Sequence, residues 1–193
     1  MKPTLEISDK SIEEIVISLN TLLADEYVLY TKIRNVYWNY SSSNYYELHK
    51  FFKIQYELLD EMVYIIVKRV HSLGYFALGS MKEFLSVTRL SEENDNFDHS
   101  TLIIKTLVSD HETIIRIIAK DIIPLAEELN DLITTDLLAG ISEQHEKMAW
   151  MLRSFMSEPH FGATKHIRTV ANQLINNQEI NNQHHNFIPE REF

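Results

Sequence analysis

One rhythm constrains this chain more than any other feature. Leu48, Phe52, Gln55, Leu59, Met62, Ile66, Arg69 and Leu73 recur at alternating steps of four and three. That spacing puts side chains on one stripe of an α-helix and packs the stripe along a neighbouring helix. Similar stripes run through Ile12, Ile15, Leu19, Leu22 and Leu23, then through Ile103, Leu107, Ile114, Ile118, Ile122 and Leu125, and finally through Leu137, Ile141, Met148, Leu152 and Phe155. Breakers are scarce: the 193 residues include four Gly and four Pro, where average usage gives roughly 12 % of the two together. A β-sandwich or barrel needs frequent turn residues, which this chain lacks.

The stripes predict four long helices, over about 11–39, 45–73, 98–129 and, starting at Asp131 or Thr134, to Ser157. Asn44 with Glu47 three residues later has the form of a capping box, and Gly74 that of a C-cap. Pro124 should kink the third helix, because it removes a backbone donor and crowds the preceding turn. Between Gly79 and Asn96 lies a connection long enough to cross a bundle, with room for a short helix over 81–87. Two helices, a long crossover and two more helices make the expected class all-α, a ferritin-like four-helix bundle with a short helix in the crossover between its second and third helices. A plain up-down bundle is the alternative. The bundle domain is assigned to 1–158 and an Asn/Gln-rich C-terminal extension to 159–193, where Ile175-Asn176-Asn177-Gln178 nearly repeats as Ile180-Asn181-Asn182-Gln183. The extension is read as flexible or loosely docked, with His166–Leu174 its best helical candidate and His184-His185 an inert exposed pair.

Composition narrows the function classes. The formal charge is −10 and cysteine is absent, so thiolate and iron–sulfur chemistry are excluded and a direct grip on DNA phosphates is disfavoured. No stretch approaches the 18 or so apolar residues of a membrane span, and the N-terminus shows no secretory signal, so the expected location is cytoplasmic. There is no phosphate loop, nucleophile elbow or His-Glu-x-x-His motif, and no Glu has a His three positions on.

The segments Leu22-Leu23-Ala24-Asp25-Glu26-Tyr27-Val28-Leu29-Tyr30, Arg34-Asn35-Val36-Tyr37-Trp38-Asn39, Tyr45-Tyr46-Glu47-Leu48-His49, Leu73-Gly74 and His145-Glu146-Lys147-Met148-Ala149-Trp150-Met151-Leu152-Arg153 change the picture. In order and spacing, over roughly 15–157, the chain resembles the Dps family of mini-ferritins. The resemblance implies a hollow shell of twelve subunits that oxidises ferrous iron, usually with peroxide, stores ferric mineral and in many members binds DNA. It also implies a di-iron site shared by two subunits, with two histidines and a carboxylate from one and two carboxylates from its partner.

Carried onto this chain, the first histidine is Tyr37, the second is retained as His49, and the carboxylate one turn later is Lys53; the partner's two carboxylates are Tyr64 and Lys68. Iron(II) is held by carboxylate oxygens and imidazole nitrogens. A protonated lysine has three donors and no acceptor. One ammonium about 4 Å from a dication costs roughly 8 kcal/mol at an effective dielectric of 20. The expectation is therefore a degenerate ferroxidase centre with no catalytic residue, His49 being vestigial. The lysines are expected to pair with acids across the interface (Glu57, Asp60 or Glu61), and Tyr37 and Tyr64 to fill the vacated volume. A sharper alternative keeps activity: a Tyr phenolate with His49 capturing ferric iron at a relocated site. Trp38 and Trp150 are read as core or interface aromatics.

The resemblance further implies a three-fold pore lined by acids at the start of the fourth helix, here Asp131 and Asp136 with Glu127 and Glu128 before them. Helix N-terminal preference for acids explains the same residues without a pore. Iron is expected only as a stored or transported ion. The expected partners are further copies of the chain in a dodecamer, or an active Dps paralogue, with no membrane. A DNA-associated role through the tail stands as a third reading.

Overall fold

The computed structural model describes residues 9–39, 45–92 and 100–156. Helix α1 covers Asp9–Asn39, α2 Tyr45–Ser72, α3 Met81–Val87, α4 Ser100–Ile117, α5 Ile123–Glu128 and α6 Leu132–Met156, with a π turn at Ile118–Ile122 joining α4 to α5. Helices α1 and α2 pack against each other, as do α4 and α6, and the short α3 lies on α1. This is the ferritin-like four-helix bundle with its crossover helix, all helical among the described residues. The four stripes meet in one core that includes Leu19, Leu22, Leu29, Phe52, Leu59, Ile66, Leu107, Ile114, Leu138 and Leu152. Asn44 and the segment 159–193, including the helix expected at 166–174, lie outside the described residues.

Helix ends follow local chemistry. Gly74 ends α2 in the left-handed region, φ 87, with Gly74 N–H donating to the His71 carbonyl and Tyr75 N–H to that of Val70; this paired closure suits a residue without Cβ. Asn130, φ 55, closes α5 in the same way, its N–H on Glu127 and that of Asp131 on Ala126. Helix α3 opens with a capping box: the Ser80 hydroxyl accepts from Glu83 N–H while the Glu83 carboxylate accepts from Ser80 N–H. Those bonds hold the Glu83 carboxyl below its ordinary value, the Ser80 hydroxyl having the largest effect.

Pro124 leaves its mark in the turn before it. Its missing N–H and its ring disfavour the usual bond to the carbonyl four residues back. The helix widens instead, and Ile123 N–H donates to Ile118 C=O five residues back. The third helix of the bundle is thus two α segments around a π turn, a common accommodation of such a residue.

The crossover is tied down by a buried acid. Asp25 on α1 accepts from the Thr88 hydroxyl at 2.9 Å, from Arg89 N–H at 2.6 Å and from Arg89 Nε at 2.8 Å. A buried carboxylate is tolerable only with this many donors. The clamp fixes the chain just after α3 against the middle of α1. A second buried pair, Lys32 with Asp110 at 2.5 Å, joins α1 to α4.

One inward assignment fails. Phe155 is partly exposed, because α6 is near its end there, although its ring still contacts Phe51 at 4.9 Å. Trp38 and Trp150 are 63 % and 67 % exposed in the single chain, so neither belongs to the core.

Candidate functional site

The five mapped positions fall into two sets on one chain. Tyr37 near the end of α1 and His49 near the start of α2 face each other across the helix hairpin, their rings stacked at 3.9 Å and 21°. Tyr56 meets Tyr37 edge-on at 5.3 Å. Arg34 sits beside them, its guanidinium 4.7 Å from the Trp38 ring and 5.7 Å from that of Tyr56, and it donates to the Tyr30 hydroxyl at 2.8 Å. Near-parallel rings send the imidazole lone pair and the phenol oxygen along parallel planes rather than to one point, which is poor chelating geometry.

Lys53 lies one turn beyond His49 on the exposed face of α2, and pairs with Glu57 of its own helix at 3.6 Å. Tyr64, 63 % exposed, and Lys68 form the second set, with the Lys68 ammonium 5.4 Å from the Tyr64 ring centre. His49 and Tyr64 are fifteen residues apart on one helix, which at about 1.5 Å per residue is roughly 22 Å. No single chain brings the two sets together; a joint site would need a second copy. Asp60 and Glu61, weighed as partners for the lysines, are exposed.

Asp131 is a buried structural acid. Its Oδ1 accepts from Thr134 N–H at 3.1 Å, capping α6, and its Oδ2 accepts from the Thr134 hydroxyl at 2.6 Å. Arg69 Nη2 donates to both oxygens, at 2.6 and 2.8 Å, and Arg69 Nε donates to the Thr134 hydroxyl. Burial pushes the Asp131 carboxyl up, but the bonds from Arg69 and Thr134 outweigh it and hold the group below its ordinary value. Every oxygen of this carboxylate is engaged. Asp136, Glu127 and Glu128 are exposed, and Asp136 shares the rim of an apolar groove with Glu61 and Gln144.

One buried group escaped the sequence reading as a candidate. Glu26 on α1, His145 on α6 and His111 on α4 form a chain: His145 Nε2 to Glu26 Oε1 at 2.8 Å, and His145 Nδ1 to His111 Nδ1 at 2.8 Å. All three are fully buried. The signal was present, since each occupies a stripe position: Glu26 between Leu22 and Leu29, His111 between Leu107 and Ile114, His145 between Ile141 and Met148. Because the His145 ring lies between its two partners, the three do not converge on a point. Among the described residues no group of three or more His, Asp or Glu side chains is arranged to hold a metal ion, and no helix is long and apolar enough to cross a membrane.

The ferritin-like domain family matches residues 18–159. The chain is 35 % identical to an uncharacterized low temperature-induced protein of Nostoc sp. over 150 residues, 78 % of this chain and 84 % of the relative. It is 28 % identical to DNA protection during starvation protein 2 of Bacillus anthracis over 146 residues, 76 % of this chain and 99 % of the relative. This chain is a Dps-family protein. The Dps fold extends to solved structures: that of Dps from Vibrio cholerae matches with a TM-score of 0.75 at 24 % identity, over 81 % of this chain and 97 % of that one. DpsC from Streptomyces coelicolor matches with a TM-score of 0.77 at 21 % identity, over 82 % and 91 %. On this Dps scaffold the mapped positions present a histidine, two tyrosines and two lysines, with no carboxylate among them.

Proposed function

We propose that this Dps protein is a mini-ferritin shell subunit of the iron-storage and stress-protection type whose inter-subunit ferroxidase centre is lost. It serves either as a non-catalytic homododecamer or as a subunit that co-assembles with an active paralogue. The observation that carries this reading is the pair Lys53 and Lys68, whose ammonium groups occupy positions that the resemblance assigns to carboxylates. Two fixed cations repel ferrous iron and offer it no lone pair. The stack of Tyr37 on His49 supports the same reading, and it counts against a phenolate–imidazole iron site there.

Assembly is supported by the apolar side chains that the single chain leaves in water, among them Trp38, Ile65, Leu132, Ile133 and Trp150. So many large exposed hydrophobics mark surfaces meant to be covered. A cation path through a three-fold pore would rest on Asp136, Glu127 and Glu128, since the Asp131 carboxylate is spent on Arg69 and Thr134. The charge of −10 per chain argues against direct DNA binding without bridging divalent ions.

The test is stopped-flow mixing of the protein with stoichiometric ferrous iron and hydrogen peroxide, followed by ferric-oxo absorbance. The expected rate equals the buffer blank, and mixing with a ferroxidase-competent relative should restore oxidation in proportion to the relative's content. Rapid peroxide-dependent oxidation by this protein alone would overturn the reading.

A further inference from the structure

The Glu26–His145–His111 chain links three of the four bundle helices through two gaps, one N···O and one N···N. A short N···N contact between imidazoles exists only while one Nδ1 carries a proton and the other offers a lone pair. Counting protons bounds the states. With two protons, both gaps are filled and both rings are neutral beside an ionised carboxylate. A third proton would go on His111 Nε2, which like Glu26 Oε2 has no hydrogen-bond partner among the described residues; both gaps would survive, but the imidazolium would stand fully buried with nothing to accept from its Nε2–H.

We propose that this chain is an acid-operated latch in the bundle core, closed with two protons and opened when the freed His111 ring takes up a third that its buried, unpartnered Nε2 refuses. Among the described residues, nothing beyond the chain itself compensates the charge of the third proton. On α1 the next ionised groups, Asp25 and Lys32, are committed to Arg89 and Asp110; on α4 Asp110 is that same partner of Lys32, and Glu112 pairs with Arg153 of α6 at the surface. On α6 Glu146 and Lys147 are exposed, and α2 contributes the neutral Gln55, which donates to the Met148 carbonyl one turn from His145. Burial first, and the neighbouring His145 second, keep His111 from protonating until well below the usual 6.5 of a histidine. The opened chain takes the proton near that ordinary value, so opening binds a proton that the closed state refuses. The latch is therefore fully closed above pH 6.5 and weakens as pH falls below it, by up to tenfold in the opening constant per pH unit.

Hydrogen exchange of the full chain at pH 7.5 and pH 5, corrected for intrinsic rates, reads this directly. Amides over 107–117 and 138–149 should lose protection at pH 5 while those over 59–66 of α2 keep theirs; uniform or unchanged protection would refute the latch. His111→Asn, which cannot take up the third proton, should lose the extra tenfold-per-unit dependence of the unfolding constant between pH 6.5 and 5. An unchanged slope in the variant would refute it equally, and if the variant fails to fold, the exchange pattern of the native protein decides.

Discussion

Removing the Asp131 carboxylate should be among the most damaging changes outside the apolar core. The side chains of Arg69 and Asp131 are 10 % and 5 % exposed, so Asp131→Ala leaves a guanidinium buried without its counter-charge, worth about 3–5 kcal/mol. The same change removes the α6 N-cap, worth about 1 kcal/mol. These losses share one carboxylate and overlap, so the expected total is about 4 kcal/mol, a large part of the roughly 5–15 kcal/mol that holds an ordinary domain. Asp131→Ser with Arg69→Met removes the buried charge and keeps a capping oxygen, and should recover all but about 1–2 kcal/mol. Urea denaturation at fixed protein concentration, followed by far-UV circular dichroism, measures both. The carboxyl sits below its unfolded value, so its contribution is complete above the ordinary carboxylate range near 4 and fades as pH falls through the folded value. A loss under 1 kcal/mol for Asp131→Ala would refute the reasoning and return Asp131 to the surface acids.

Other positions give independent checks. Asp25→Ala should cost about 1–3 kcal/mol, because the Thr88 hydroxyl and Arg89 N–H lose their buried acceptor while the partly exposed Arg89 guanidinium can turn to water, and proteolysis should then cut first after α3, at Thr88–Leu90; a cut pattern identical to the parent would argue against the clamp. Gly74→Ala forces a Cβ into the left-handed region at φ 87 and should lower stability by about 1 kcal/mol in the same urea assay. Tyr37→Phe should leave both stability and iron behaviour unchanged, since the mapped role of Tyr37 is to pack its ring on His49.

The stripes made the bundle legible because a helix partner is chosen by periodicity, which needs no knowledge of distance. Gly74 and the helix-start preference for an acid at Asp131 were legible for a similar reason, being local chemistry at helix ends. The grip of Arg69 on Asp131 was not, since the two are brought together across 62 residues by the packing of α2 against the start of α6. Arg69 stood in the α2 stripe as an apparent exception to the apolar pattern, and Glu26, His111 and His145 stood in theirs. Such exceptions mark where helices exchange hydrogen bonds, but only the fold says with whom. The π turn was hidden for a different reason: Pro124 announces a break without saying how the helix absorbs it. The proposed polarity reversal at Lys53 and Lys68 rests on comparing residue types at positions matched by resemblance, and side-chain geometry then added the stack of Tyr37 on His49.

Anaerobic calorimetric titration of ferrous iron bears most directly on the claim that fixed cations have replaced iron ligands. The native protein should show no binding at the inter-subunit position, while the combined variant Tyr37→His, Lys53→Asp, Tyr64→Asp, Lys68→Glu should bind iron there. Saturable binding by the native protein that disappears in His49→Ala, or no gain in the folded combined variant, would contradict the account.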